Sequence, residues 1–137
     1  MIEFIKHWDW VILGFGFFHA ILFLQSGLDK VFNYKDNASW LNGHFANSIF
    51  KNMVPMLLIL LTILELGAGA LSVGAVVSEM IGCESHDLVW LSVIASIKAY
   101  LALFLGQRLA KDYEGAASIA PYFMIALAAA IYLQFAL

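Results

Sequence analysis

Four long apolar runs, separated by polar stretches, dominate the hydrophobic pattern of the chain. They lie at about residues 9–30, 54–78, 87–108 and 117–136. A helix rises about 1.5 Å per residue and needs about 20 apolar residues to cross the hydrocarbon core of a bilayer, so each run is long enough. Pro55 and Pro121 fall near the starts of the second and fourth runs, where a helix loses no internal N–H bond. The pattern predicts an all-α integral membrane protein, a four-transmembrane-helix bundle in a single membrane domain over residues 1–137.

The longest polar stretch, residues 29–54, contains a different helical pattern. Apolar side chains such as Trp40 and Phe45 recur at helical spacing, and polar residues occupy the positions between them. This periodicity predicts a short amphipathic helix at about residues 39–51, lying along the membrane surface, with Ser39 as its N-cap. An irregular loop with scattered aromatic residues is the alternative.

Composition supports the membrane class and excludes others. Hydrophobic residues make up 63% of the chain and charged residues 12%, about half the roughly 25% charged residues of soluble domains. The net charge is -3 and no basic stripe is present, so a nucleic acid partner is not expected. The chain carries no P-loop, dinucleotide fingerprint or nucleophile elbow, and therefore no catalytic motif of its own. Whether it takes part in catalysis stays open.

The distribution of basic residues predicts an orientation in the membrane. The polar stretches at 29–54 and 108–117 carry most of the lysines and arginines, whereas the opposite side carries only Lys6. The positive-inside rule then places these two stretches in the cytoplasm and both termini outside.

Three ionisable residues, His19, Glu65 and Lys98, fall near the middle of three different runs, close to the bilayer midplane. An isolated charge at that depth costs roughly 2.5–3.5 kcal/mol on insertion scales. Lys98 is too far from either helix end to snorkel, so we predict that it forms a buried ion pair with Glu65. A protonated Glu65 beside a neutral Lys98 is the alternative.

Together with Gln25 and Tyr100, these residues form a predicted polar core and a candidate quinone or proton site. The two carbonyls of a quinone need hydrogen-bond partners, and an aromatic side chain such as Phe23 can stack on the ring. The chain brings no electron carrier, so a redox step would need a cofactor-bearing partner. The competing interpretation is a structural subunit, in which the charged core only fixes the bundle.

Haem is not expected, because only His19 lies deep in a run and a bis-His site needs two ligands at matching depth. A metal site is not expected either. The weak candidate is Cys83 with His86, whose thiolate and imidazole suit copper or zinc. His7 or Asp9, predicted on the same side of the membrane, would be the further ligand.

The segments FLQSGLDKVF and ELGAGALSVG resemble short motifs of the DoxX-like family of small four-helix membrane proteins. The first matches a Gly-x-x-Lys signature that ends the first helix, and the second a Glu-x-x-x-Gly-x-x-x-x-Gly signature of the second helix. The matching residues are Gly27, Lys30, Glu65, Gly69 and Gly74. The second half of the chain matches by helix count only, and it lacks the Gly-Pro-Gly and Ser-Leu-Asp elements found near the C-terminus of many members.

The resemblance implies a function in membrane redox chemistry. The expected protein is an accessory or structural subunit of a larger oxidoreductase or respiratory-type complex in a bacterial inner membrane. Its partners would be the lipid bilayer and other membrane protein subunits, and it would contribute to a quinone site. The alternative is a small homo-oligomeric proton-coupled transporter with Glu65 as the coupling carboxylate, which requires a carboxylate that is free to exchange protons.

Overall fold

The computed structural model describes residues 2–136, which form six helices joined by short turns. The helices are α1 (Ile2–Lys6), α2 (Trp10–Phe32), α3 (Tyr34–His44), α4 (Val54–Met80), α5 (Asp87–Leu109) and α6 (Tyr113–Ala136). Helices α2, α4, α5 and α6 are each long and apolar enough to cross a membrane. The predicted fold class is therefore confirmed.

The bounds of these four helices follow the predicted apolar runs closely, except at the start of α6. This helix begins at Tyr113 instead of residue 117. Pro121 consequently lies inside the helix rather than in its first turn, so its predicted position at a helix start is wrong. Pro55 does occupy the first turn of α4, where its missing N–H removes no helical bond.

A short helix lies between α2 and α4, but it begins and ends earlier than predicted. Asn33 alone separates α2 from α3, and the residues after His44 form successive turns. Ser39 lies inside α3, so its predicted role as N-cap is wrong. The side-chain amides of Asn33 and Asn37 donate to the carboxylate of Asp29, at 2.7 and 3.2 Å. These bonds tie the first turn of α3 to the last turn of α2.

Helix α3 covers the end of the bundle at which α2 ends and α4 begins. Leu41 of α3 and Phe45, which follows it, are buried in one cluster with Val54 and Leu58 of α4. The burial of these four side chains holds α3 against the start of α4.

Helices α2 and α4 approach each other closely at glycines. A Cβ added to Gly27 would lie 2.6 Å from Cδ2 of Leu66, and one added to Gly69 would lie 2.8 Å from Cδ2 of Leu24. Real Cβ atoms do not approach heavy atoms so closely, so these positions accept only glycine without a shift of the neighbour. The two glycines thereby bring the backbones of α2 and α4 together.

At the opposite end of the bundle, Asp9 connects three helices. Its Oδ1 accepts hydrogen bonds from the N–H groups of Val11 and Ile12 and caps α2. Its Oδ2 accepts from the Tyr132 hydroxyl near the end of α6. Its own N–H donates to Glu79 near the end of α4, at 2.7 Å.

Candidate functional site

Glu65 is the most buried acid of the bundle, and its partner is Lys30. The Glu65 side chain is 1% exposed, and Lys30 Nζ lies 3.2 Å from each of its carboxylate oxygens. Lys30 Nζ also donates to Ser26 Oγ at 2.9 Å. Because Lys30 belongs to the last turn of α2, the pair lies toward the end of that helix and not in its middle.

The predicted pair between Glu65 and Lys98 is therefore wrong, and the rotation of α5 is the reason. Lys98 is exposed and lines a groove between α4 and α5. The inward face of α5 is occupied by Ser92, Ser96 and Tyr100. Lys98 stands about half a helical turn away from the last two of these.

The sequence did carry a signal for the correct partner. Lys30 continues a stripe on α2, at three- and four-residue steps, through Gly16, His19, Phe23 and Gly27. All four of those residues are buried. A lysine on the same stripe is therefore directed at the bundle interior, even though it lies close to the helix end.

The other predicted core residues separate into buried and exposed ones. His19 and Tyr100 are buried, with ring centroids 5.7 Å apart, and Phe23 packs against both. Gln25, like Lys98, is exposed. The predicted cluster of five polar residues is therefore divided between an ion pair, an aromatic group and the outer surface.

His19 and Tyr100 leave two polar atoms without partners. His19 Nδ1 lies 2.8 Å from the Phe15 carbonyl oxygen, which can only accept, so Nδ1 donates and Nε2 is left as an acceptor. Among the described residues, neither this Nε2 nor the Tyr100 hydroxyl has a hydrogen-bond partner. Buried polar groups are normally paired, so the His19 ring nitrogen and the Tyr100 hydroxyl are two groups that could still form hydrogen bonds.

A cavity of about 140 Å³ opens beside the ion pair, beneath α3. Lys30 lines the cavity on the side of the ion pair. Leu61 of α4 and Gly106 and Gln107 of α5 form the side away from α3. The side that α3 contributes consists of Asn37, Trp40, Leu41, His44 and the following Phe45. The lining thus combines hydrogen-bonding groups with aromatic and aliphatic surface.

His44 holds α3 against the end of α5. Its Nε2 donates to Gln107 Oε1 at 2.6 Å and lies 3.8 Å from an oxygen of Asp112. Its ring stacks on Trp40, with centroids 4.5 Å apart. His44 and Gln107 were not among the predicted site residues, and Trp40 was predicted only as part of the amphipathic helix. The spacing of Trp40 and His44 by four positions, which puts them on one face of a helix, was the available signal.

The weak metal candidate lies at the other end of the bundle. Cys83 is exposed, and it lines an open surface depression together with His7 and His86. Within residues 2–136, no three His, Cys, Asp or Glu side chains are placed so that they could hold one metal ion. The structure therefore gathers no ligand set around Cys83 and His86.

Comparisons with protein-family models, with curated proteins and with solved structures find no match to this chain. The DoxX-like resemblance stays a prediction that rests on short motifs. Four of the five motif residues do meet in space, because Lys30 pairs with Glu65 while Gly27 and Gly69 lie at close approaches of α2 and α4. A Cβ on Gly74, the fifth, would be in ordinary contact with Leu88, at 3.6 Å.

Proposed function

We propose that this multi-pass protein is an accessory subunit of a larger oxidoreductase in a bacterial inner membrane, and that the cavity beside Lys30 binds a quinone head group. The observation that carries the proposal is the ammonium of Lys30. It is held by Ser26 and Glu65, and Lys30 also lines a cavity that contains aromatic side chains. A fixed cation next to apolar rings suits a flat ligand with polar oxygens.

The polar groups of the cavity suit the two carbonyl oxygens of a quinone. The ammonium of Lys30 is engaged by Ser26 and by both carboxylate oxygens of Glu65, so it offers a quinone oxygen a fixed positive charge rather than a spare N–H. The amide groups of Asn37 and Gln107 line the same cavity. Trp40 and Phe45 provide faces against which a ring can stack.

The size and position of the cavity suit a head group rather than a whole ligand. Its volume of about 140 Å³ is below the roughly 300–1,000 Å³ of pockets that enclose drug-sized molecules. Lys30 lies in the last turn of α2, and Gln107 is close to the end of α5. A quinone bound here would keep its ring near the membrane surface and its isoprenoid tail among the lipid chains.

In the proposed complex, two subunits share the reaction. Reduction of a quinone to a quinol takes two electrons and two protons, and the electrons come from a cofactor-bearing partner subunit. The chain itself would bind and orient the ring, with the Lys30–Glu65 pair placed beside one of its oxygens.

The transport alternative requires a carboxylate that takes up and releases protons during each cycle. Glu65 is 1% exposed and its carboxylate is engaged by Lys30, which leaves it little contact with water. The pair is better suited to holding a ligand than to driving exchange, so the quinone site is the function that we favour.

Fluorescence of Trp40 provides the test. The purified protein in detergent is titrated with a short-chain ubiquinone, and we expect saturable quenching that is lost in Trp40→Phe. Gln107→Leu removes one amide from the cavity and should weaken binding about 5- to 10-fold, the equivalent of one hydrogen bond. Gln134→Leu is the matched control, because Gln134 is exposed near the C-terminal end of α6 and does not line the cavity. The proposal fails if quenching does not saturate or if the two leucine variants bind alike.

A further inference from the structure

Lys98 is a charged side chain on the outer face of the bundle, halfway along a membrane-spanning helix. It lies eleven positions after Asp87, where α5 begins, and eleven positions before Leu109, where α5 ends. It is exposed, and it makes no hydrogen bond or ion pair with any other residue that the structure describes.

Lipid is a poor environment for this ammonium. At a rise of about 1.5 Å per residue, either end of α5 is roughly 16 Å away along the helix, farther than a lysine side chain reaches by snorkelling. Ionisable residues within membrane helices almost always face protein or water and pair with another group. In an isolated copy of the chain, Lys98 faces lipid and has no partner among the described residues.

The surface around Lys98 has the shape of a helix-packing groove. Its volume is about 240 Å³, and its lining includes Gly67 of α4 and Ala95 of α5 between larger aliphatic side chains such as Ile94. A Cβ added to Gly67 would meet no atom within 4 Å. Small residues on an open face allow a second helix to approach closely.

We propose that this groove, lined by Gly67, Ile94, Ala95 and Lys98, docks a transmembrane helix of another protein, and that an Asp or Glu on that helix pairs with Lys98. Charge complementarity identifies this occupant, because a cation at mid-depth requires an anion at mid-depth. The inference rests on the accessory-subunit part of the proposed function and not on the quinone cavity.

A second copy of the chain does not supply the required anion. Within the described residues, Glu65 is the acid in the interior of a spanning helix, and it is buried and paired with Lys30. The remaining acids of the spanning helices lie in first or last turns, at Asp29, Glu79, Asp87 and Glu114. The partner is therefore a different polypeptide.

Site-specific photo-crosslinking in the native membrane tests the proposal. A benzophenone amino acid replaces Ile94, which lines the groove, or Ile131 as the control, an exposed isoleucine on α6. We expect Ile94 to give a crosslink to another polypeptide, in a membrane-spanning segment that contains an Asp or Glu. The Ile131 position should give at least tenfold less of that product.

The charge is then varied at Lys98. Lys98→Met should reduce the crosslink at least tenfold, whereas Lys98→Arg should retain it, and Lys35→Met, at an exposed lysine of α3, should leave it unchanged. Exchanging the two charges, with Lys98→Glu and the partner's acid changed to lysine, should restore it. Purified Lys98→Met should elute as a folded species, since no packed side chain is removed.

The proposal is overturned by crosslinks only to lipid, only to a second copy, or to a segment that lacks an acid. A Lys98→Met crosslink as strong as that of the unchanged protein overturns it as well. Quinone quenching of Trp40 separates the two proposals, because Lys98→Met should titrate like the unchanged protein. Loss of docking with intact quenching would disprove the groove alone, and a crosslink without quenching would disprove the quinone cavity alone.

Discussion

At the scale of single residues, the ion pair of Lys30 and Glu65 is the most sensitive feature of the fold. Both groups are removed from water, Glu65 almost completely. Their mutual attraction offsets a desolvation cost that neither group can meet alone. Removal of one partner therefore leaves an uncompensated buried charge, whereas removal of both leaves none.

We predict that Lys30→Met or Glu65→Leu alone lowers the free energy of unfolding by about 3–5 kcal/mol, because each leaves an uncompensated buried charge. The double variant Lys30→Met/Glu65→Leu should lose clearly less than the sum of the two. Denaturant unfolding of the purified protein in detergent micelles measures all three.

Lys98→Met is the control for these variants, because it removes an exposed lysine that has no partner among the described residues. Its effect on unfolding should stay within about 0.5 kcal/mol or be stabilising. Additive losses in the double variant would show that the two side chains do not act as a pair.

Sequence alone could indicate that Glu65 needs a partner. The stripe on α2 favours Lys30, but the sequence pattern does not exclude Lys98. Both candidates lie on apolar helices, and the choice depends on how α2 and α5 rotate about their axes. That rotation is set by packing, through the glycine contacts between α2 and α4 and the inward serines of α5. Hydrophobic periodicity was weak evidence here because lipid-facing and bundle-facing positions are both apolar.

At the scale of helices, the close approach of α2 and α4 depends on the absence of side chains. We predict that Gly27→Ala and Gly69→Ala each destabilise the protein by about 1–3 kcal/mol, because the new methyl group overpacks the contact with Leu66 or Leu24. Thermal unfolding in detergent, followed by circular dichroism, gives the change.

Gly14→Ala serves as the matched control on α2, since a Cβ there would meet no atom within 4 Å. Alanine favours the helix over glycine by up to about 1 kcal/mol, so this variant should be neutral or slightly stabilised. Equal effects at Gly14, Gly27 and Gly69 would contradict the packing described.

Helix α3 depends on a small apolar anchor. Leu41→Ala should detach it from α4, since truncation of a buried leucine costs about 2–5 kcal/mol. Hydrogen exchange should accelerate over residues 34–44 while α5 stays protected. Ile49→Ala is the control, because Ile49 is 74% exposed. Unchanged exchange in Leu41→Ala would show that another contact holds α3.

The positions of the long helices could be predicted because apolar length alone defines them, whereas the position of α3 could not. Its start is fixed by the amides of Asn33 and Asn37 on Asp29, and its end by the burial of Leu41 and Phe45. The cavity was missed for the same reason, since α3 supplies much of its wall. Such contacts connect distant parts of the chain and leave little trace in a local pattern.

At the scale of the whole molecule, four helices are long and apolar enough to span the membrane, and we predict that Asp9 and Ala136 lie on the same side of it. The positive-inside rule predicts that this is the outside. Cys83, the only cysteine, is exposed in the turn between α4 and α5. On intact cells a membrane-impermeant maleimide should therefore label Cys83.

The variant Cys83→Ser/Asn47→Cys carries its thiol on the opposite side, at an exposed position between α3 and α4. It should be labelled only after the membrane is permeabilised. The reverse pattern would invert the predicted orientation.

The hydrogen bond from Tyr132 to Asp9 joins positions that are 123 residues apart. Asp9 leaves the ribosome well before Tyr132, so α2, α4 and α5 are already synthesised when α6 arrives. The contact between Asp9 and Tyr132 can form only after α6 has been made. A nascent chain that stalls within α6 would expose an incomplete bundle to the insertion machinery and to membrane proteases.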